Sequence, residues 1–390
     1  GGFAVFYAQG NNEFFYNPID NKYSFRIHPY SYTTTYFITF DENIGLKKRV
    51  NSVTMPTSYD TVTPYFRDYF LSKQEVNSPN ASGRNWLGKQ FTNNSKIEDY
   101  PLDMSNSYTD ENNQYINPAI FEMNVVAQSE KESYFISNFN NQFLDSTKLT
   151  PVFEMSYTDI ANSKYIRRNI LSVNPVSNKI SIKYSGNSIA KGWIDYMLVS
   201  FDRSLKYNYP AILSFKNTES LIHNKVVSHL ISNVKNSDII VWDVTNHIEP
   251  KQIIGEYNSV DFTYRINLGS DSLLNLVAFN NNSSFNTVNH VGKIENQNLH
   301  ATPAIDYVII THPLFKEEAE RLADIHRNYN NTSTVVVDIN DIYNEFSSGT
   351  PDVLAYREYL RMLYNKYKPQ GLEPKNVLLF GDGTFDNKNI

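Results

Sequence analysis

Apolar and polar side chains alternate along most of the chain before about residue 300. Residues 23–27, 120–125 and 179–184 show this alternation clearly, which is typical of strands with one buried face. Residues 195–201 and 238–244 are nearly continuous apolar runs, and these suit interior strands of two stacked sheets. The pattern therefore predicts a mainly β protein built from β-sandwich or jelly-roll-like domains.

Two segments near the start of the chain have strand-like composition but less decisive periodicity. Residues 33–40 are rich in Thr, Tyr and Phe, so their propensity predicts a strand. Residues 65–70, with sequence YFRDYF, fit either a short helix or a strand, and their pattern does not decide between the two.

The pattern changes at about Ala301 to alternating strands and helices. Thr311 or His312 can cap a helix N-terminus, and Pro313 suits the first helical position. Strand, helix, strand, helix and strand in succession predict a parallel sheet with helical crossovers. The predicted strands are 305–311, 334–339 and 376–380, and the predicted helices are 313–329, 341–346 and 351–367.

These patterns divide the chain into three predicted domains. Residues 1–100 are expected to form a β-rich domain, 101–301 a β-sandwich domain, and 302–390 an α/β domain. A parallel sheet of about three strands is small and leaves long unpaired edges. We therefore expect residues 302–390 to be an incomplete α/β subdomain and the chain to be a fragment of a longer protein.

Composition and charge exclude several kinds of function. The net charge is −6 and no run of Lys and Arg occurs, which argues against nucleic acid as a partner. No stretch of about 18 to 20 apolar residues is present, so no transmembrane segment is predicted in this chain. The chain has no cysteine, which removes disulfides, thiolate metal ligands and a cysteine nucleophile.

Few residues are candidates for chemistry. His312 follows a predicted parallel strand and could act as a base, but its place before Pro313 favours a helix cap. His223 and His229 lack the i,i+4 spacing of a helical metal pair, and no zinc site is assigned to them. Asp382 and Asp386 are the candidates for a metal site.

The two aspartates belong to the segment that follows the last predicted strand. This segment has some features of a calcium loop but lacks the full ligand alternation and the closing glutamate, so a polar turn is favoured. Gly381 and Gly383 match neither nucleotide-binding fingerprint. No cofactor is predicted, and calcium is the one metal for which the sequence offers candidates.

Several segments resemble the sortases of the type IX secretion system, which are gingipain-type cysteine peptidases. The resemblance covers nearly the whole chain, and the string YNEFSSG at residues 343–349 is its most distinctive part. The matching segments of the α/β part are 309–315, 319–323, 326–327, 335–339, 342–349, 361–364 and 378–383. The matching segments upstream are 6–10, 82–88, 193–196, 241–245 and 291–299.

The resemblance implies a fold and an activity for the whole protein. It implies a caspase-like catalytic domain in an exported, outer-membrane-associated peptidase of Bacteroidota. Such enzymes remove the C-terminal signal domain of secreted cargo and join the new carboxyl end to anionic lipopolysaccharide. The implied partners are therefore cargo proteins with C-terminal signal domains and outer-membrane secretion components, at the cell surface.

The resemblance assigns no catalytic residue within this chain. The cysteine and histidine of the family lie further along its sequence, beyond the position of Ile390. The chain is therefore expected to be inactive alone. The alternative hypothesis is a non-catalytic surface module that binds carbohydrate or serves as a scaffold. For carbohydrate binding, an exposed aromatic platform on the sandwich would be expected.

Overall fold

The chain forms two compact units in a computed structural model that describes residues 5–38, 50–81, 83–152 and 160–388. The β unit comprises residues 1–7, 14–25 and 47–287, and the α/β unit comprises residues 8–13, 26–46 and 288–390.

Strands dominate the β unit, and helices alternate with strands in the α/β unit. Within the described residues the strands are β1 (Glu13–Asn17), β2 (Lys22–Arg26), β3 (Asn51–Val53), β4 (Thr61–Thr63), β5 (Tyr65–Ser72), β6 (Gln90–Thr92), β7 (Glu98–Leu102), β8 (Gln114–Gln128), β9 (Ser133–Phe139), β10 (Gln142–Leu149), β11 (Asn162–Ser172), β12 (Asn178–Ser185), β13 (Lys191–Ser204), β14 (Leu213–Lys216), β15 (Val227–Ile231), β16 (Ile240–Asp243), β17 (Lys251–Ile253), β18 (Glu256–Asn258), β19 (Thr263–Leu268), β20 (Asn275–Phe279), β21 (Tyr307–Thr311), β22 (Thr334–Asp338) and β23 (Asn376–Phe380). The α-helices of the same residues are α1 (Thr218–His223), α2 (Lys316–Tyr329), α3 (Ile339–Phe346) and α4 (Val353–Tyr367).

The first sandwich of the β unit stacks two antiparallel sheets. One sheet has the order β10-β9-β12-β7 and the other β11-β8-β13-β5, with β6 also paired to β13. Alternate residues of β8 point inward, and Phe121 meets Phe135, Tyr184 and Phe201 in one fully buried cluster. Burial of these aromatic side chains helps to stabilise the stack. The sandwich predicted from the two-residue alternation is thus confirmed.

A second sandwich follows in the same unit. Its sheets have the orders β14-β20-β16-β17-β3 and β18-β19-β15-β4, and β3 and β4 join as parallel strands. The core contains the buried side chains of Phe215, Val241, Ile253, Ile266 and Leu268. These strands come from both ends of the unit's sequence, so the second sandwich depends on long-range pairing.

β5 is shared by the cores of both sandwiches, which decides between helix and strand for residues 65–70. Phe66 lies in the second core with its ring centroid 6.1 Å from that of Phe215, whereas Phe70 packs against the first core. β5 pairs antiparallel with β13 along its whole length. The segment is therefore a strand that serves two cores.

A hairpin of β1 and β2 covers part of the outer face of the first sandwich. The backbone amide of Tyr23 donates to the Ser200 hydroxyl over 3.0 Å, and its phenol donates to the Arg67 carbonyl over 2.9 Å. Tyr23 is itself fully buried, so the hairpin is tied to the sheet by packing as well as by hydrogen bonds.

The α/β unit contains the parallel sheet β22-β21-β23 with helices on both faces. Val308 and Ile310 face a cluster that includes Tyr359 of α4, whereas Ile309 packs against Ala319 of α2. The succession of strands and helices predicted after Ala301 is confirmed. The predicted fold class, a β-rich region that leads into an α/β region, is also confirmed. None of the described helices has the length and apolar character needed to cross a membrane.

The strand predicted over residues 33–40 is wrong for its described part. Residues 33–38 form no strand, and residues 39 and 40 lie outside the described residues. Strand propensity needs a partner strand and a face to pack against, and here the backbone amide of Thr35 bonds instead to the Thr350 hydroxyl over 3.5 Å.

Candidate functional site at the carboxyl edge of the parallel sheet

The strongest candidate site is the edge where the three parallel strands end. Thr311 of β21 is in register with Asp338 of β22 and with Phe380 of β23, so the segments that follow these residues leave the sheet side by side. Ligands of parallel α/β sheets bind at this edge, because the loops and helix N-termini that follow the strands converge there. Sequence alone places the candidates His312, Asp382 and Asp386 in these segments.

His312 serves as a helix cap at this edge. Its Nδ1 accepts a hydrogen bond from the Leu314 amide over 3.2 Å, and Pro313 begins a short 3-10 helix that runs into α2. The capping role predicted from the sequence is thus confirmed. Thr311 beside it is buried, and its hydroxyl donates to the His312 carbonyl at 3.2 Å and to the Phe380 carbonyl at 3.4 Å.

The end of β22 presents a second cap. Asp338 accepts a hydrogen bond from the Asn340 amide over 2.9 Å and so begins α3. Asp341 lies one turn further, where burial and then the charge of Asp338 raise its pKa above the ordinary value. This part of the edge therefore carries two acidic side chains at the positive end of a helix dipole.

The segment after β23 is an exposed polar turn. Asp382 accepts from the Gly383 amide over 2.7 Å, and Asp386 accepts from the Lys388 amide over 3.4 Å. Among the described residues no three His, Cys, Asp or Glu side chains lie close enough together to hold a metal ion. Calcium binding by Asp382 and Asp386 stays a prediction from the sequence.

The two histidines considered for a metal pair lie on different elements of the β unit. His223 ends α1, with Nε2 3.5 Å from a carboxylate oxygen of Glu219. His229 lies on β15 and is fully buried, with Nδ1 3.1 Å from the Val227 carbonyl. Burial lowers the pKa of His229 to about 4, so this imidazole is neutral at physiological pH.

A segment from near the start of the chain packs on loops of the α/β unit. His28 Nε2 lies 3.6 Å from Oδ2 of Asp352, the residue that caps α4. Lys388, in the loop after β23, places its ammonium 4.4 Å from the centroid of the Tyr32 ring. The sequence does not predict these contacts, because residues more than 300 positions apart leave no periodic signal.

This arrangement can position loops but supplies no nucleophile. Thr311 is buried, His312 and Asp338 act as caps, and the chain has no cysteine. The described edge is therefore a framework that can position catalytic groups supplied by other residues.

The α/β part of the chain is similar in sequence to a known peptidase family. Residues 300–389 match the sequence model of Peptidase family C25. These residues contain all three parallel strands and the loops at their carboxyl edge. No curated protein matches the sequence significantly.

The fold of almost the whole chain is similar to that of a solved structure. Dimeric latent PorU from Porphyromonas gingivalis aligns with 98% of this chain at a TM-score of 0.82 and 22% sequence identity. This chain spans 36% of the length of that protein. The two matches confirm the resemblance found in the sequence motifs.

Two shorter structures align with about a third of the chain. They are a CBM36-1 domain of a multidomain xylanase from the hindgut metagenome of Trinervitermes trinervoides, at 9% identity, and Eiger TNF from S. frugiperda, at 7% identity. They cover 34% and 36% of this chain and 95% and 93% of their own lengths. Their TM-scores of 0.23 and 0.21 carry no argument about this fold or its function.

Proposed function

We propose that this chain is the central part of a type IX secretion sortase. In this proposal the whole enzyme removes C-terminal signal domains from secreted cargo and attaches the cargo to anionic lipopolysaccharide. The observation that carries the proposal is the agreement in fold with PorU over 98% of the chain at a TM-score of 0.82. The family C25 match is a second line of support, because it rests on sequence and not on fold. It covers residues 300–389, which lie in the α/β part.

The proposal divides the work between the two units. The α/β unit supplies the first three strands of the catalytic domain and the framework at their carboxyl edge. The nucleophile and its histidine belong to a part of the protein outside this chain, since the chain has no cysteine and His312 is used as a cap. The β unit contacts cargo or secretion partners in the outer membrane, and the protein works at the cell surface.

The chemistry of such an enzyme proceeds through a covalent intermediate. Histidine takes the proton of the cysteine thiol, and the thiolate attacks the scissile carbonyl carbon of the cargo. The signal domain leaves with its new amino terminus, and the cargo remains as a thioester. Water resolves the thioester to a free carboxylate, whereas an amine resolves it to an amide.

The test compares this chain with the parent protein from which it comes. Both are incubated with a cargo protein that ends in a C-terminal signal domain, and cleavage is followed by mass spectrometry. We expect cleavage by the parent protein, none by the 390-residue chain, and none by the parent after its family C25 cysteine is replaced by alanine. Cleavage by the 390-residue chain, or a parent without a downstream cysteine and histidine, would overturn the proposal.

A non-catalytic surface module is the second candidate function. In this alternative the family C25 match over residues 300–389 reflects a shared framework without a catalytic site. A parent protein that binds secretion partners or glycans without cleaving cargo would support this alternative.

A further inference from the structure

A cavity of about 240 Å³ opens on the outer face of the first sandwich, beside the β1–β2 hairpin. Strand β2 forms one wall, β8 and β13 form the floor, and Tyr165 of β11 forms the opposite wall. Its lining residues are Lys22, Tyr23, Ser24, Phe25, Glu122, Tyr165, Tyr196 and Leu198. The cavity is smaller than the roughly 300–1,000 Å³ of sites for drug-sized ligands, so it suits a ligand of one ring.

A buried carboxylate forms the polar centre of the cavity. The Glu122 side chain is only 4% exposed, and its Oε1 accepts from the Lys22 ammonium over 2.6 Å. The Tyr165 phenol donates to the same oxygen. No described residue bonds to Oε2, and the Lys22 ammonium has further N–H groups beyond the one that Glu122 accepts. The centre therefore offers both a donor and an acceptor to a ligand.

Aromatic rings form the walls around this pair. Tyr165 is 47% exposed at the mouth, and the Lys22 ammonium lies 5.9 Å from the centroid of its ring. Phe25 and Tyr196 are half-buried and meet edge to face, with centroids 4.9 Å apart. Burial and the charge of Glu122 raise the pKa of Tyr196 to about 12, so its phenol stays a neutral donor at physiological pH.

A purely structural role does not account for this combination. A buried ion pair contributes little to stability compared with apolar side chains of the same size. An apolar pair would also fill the space, yet the protein keeps a charged pair at the bottom of an open cavity. Charged groups held by burial in a concave, aromatic-lined place are typical of binding sites.

We propose that this cavity binds one neutral sugar residue of a glycan. The hydroxyl groups of a pyranose both donate and accept, so they can bond Glu122 Oε2 and the Lys22 ammonium together. The apolar face of the sugar ring can lie on the exposed Tyr165 ring. The two charges of the lining cancel, which suits an uncharged ligand. The site belongs to the β unit alone, and the inference does not depend on the proposed peptidase function.

The experiment is a titration of the 390-residue chain with a panel of methyl glycosides, followed by ligand-observed NMR. The panel includes neutral hexosides, 6-deoxyhexosides, N-acetylhexosaminides and uronides. We expect at least one neutral glycoside to bind with a Kd on the order of 1 mM. Tyr165→Ala is expected to weaken this binding by roughly three- to tenfold or more, because the stacking ring is lost. Tyr165→Phe keeps the ring and is expected to retain most of the affinity.

Two further variants separate binding from folding. Glu122→Gln removes the carboxylate at the centre and is expected to abolish measurable binding, with folding checked by circular dichroism. Tyr329→Ala removes an exposed tyrosine of α2 that is not among the lining residues, and is expected to leave binding unchanged. The inference is overturned if no neutral glycoside binds, or if Tyr165→Ala binds as well as the original chain. Binding of uronides alone, lost in Lys22→Gln but kept in Tyr165→Ala, would assign the cavity to a carboxylate instead and overturn it as well.

Discussion

Arg67 of β5 donates a hydrogen bond from Nη1 to Oδ1 of Asp202 on β13 over 2.9 Å, and both side chains are 1% exposed. The two residues are directly opposite each other in the antiparallel register. Asn117 donates to the other oxygen of Asp202, and the Pro118 carbonyl accepts from Arg67 Nη2, both over 2.9 Å. The ion pair is therefore fully hydrogen-bonded at the junction of the two sandwiches.

Removing one charge of this pair is expected to be costly. Asp202→Asn leaves the Arg67 guanidinium buried without a counter-charge, so the free energy of unfolding should fall by about 3–5 kcal/mol. Urea denaturation followed by tryptophan fluorescence measures the change. Asp99→Asn is the matched control, because its ion pair with Lys179 is half exposed and should matter little. Equal effects of the two substitutions would contradict the argument.

Stability should fall with rising pH because of Glu219. Burial, followed by the negative charge of Asp202, raises the pKa of this carboxyl from 4.5 to about 7 in the folded protein. A raised carboxyl pKa means that the folded state favours the protonated form. Its stabilisation is complete below about pH 4.5 and is lost as the pH rises through about 7, by roughly 3 kcal/mol in total.

The test compares the original chain with Glu219→Gln, which stays neutral at every pH. The free energy of unfolding of the original chain should drop relative to the variant between about pH 4.5 and 7. His223→Gln serves as a control, since its Nε2 lies 3.5 Å from a carboxylate oxygen of Glu219. A constant difference between the two proteins over this range would show that Glu219 is not responsible.

Local patterns predict the elements of this protein better than they predict its assembly. The alternation in residues 120–125 and the cap at His312 depend on neighbours in sequence, and both are found in the structure. The placement of β3 and β4 in the second sandwich depends on strands about 170 to 200 positions away. Such pairing is chosen by burial over the whole chain, which a short window of sequence does not contain.

The candidate sites show the same limit. Sequence identifies Asp382 and Asp386 because they are close together in a polar turn, but it gives no reason to select Glu122. In the sequence Glu122 is one polar position in an alternating strand, a pattern that predicts a solvent-exposed side chain. It is buried because the β1–β2 hairpin, about 100 residues earlier, covers that face of the sheet. Only the fold brings Lys22, Glu122 and Tyr165 together.

A side chain at Gly192 of β13 is expected to destabilise the folded protein. A Cβ atom there would lie 2.7 Å from Phe135 Cζ and 2.7 Å from Tyr184 Cε2, both buried ring atoms of the first core. Gly192→Ala should lower the free energy of unfolding by about 1–3 kcal/mol through overpacking. Gly269→Ala is the control, because no atom lies within 4 Å of the Cβ position there. If thermal unfolding shows the two variants to be equally stable, the first core can rearrange to make room for the added methyl group.

His312 is expected to contribute to stability as a cap. His312→Asn keeps an acceptor for the Leu314 amide and should change the free energy of unfolding little, whereas His312→Ala should lower it by about 0.5–2 kcal/mol. Chemical denaturation monitored by far-ultraviolet circular dichroism measures both variants. An equal loss in the two would assign another role to the imidazole.

Amide hydrogen exchange should be faster in β23 than in β21, although the two strands pair with each other. Within the described residues β21 is hydrogen-bonded on both sides, whereas β23 has β21 as its one partner. Val377 and Leu379 of β23 are 44% and 62% exposed, while Val308 and Ile309 of β21 are fully buried. Local opening of β23 therefore exposes little additional apolar surface and has a low free energy.

We expect exchange in β23 to be roughly tenfold faster or more by mass spectrometry of peptic peptides. Strand β8, which is paired on both sides, serves as the slow reference. Protection of β23 equal to that of β8 would mean that its exposed face and edge are covered in solution.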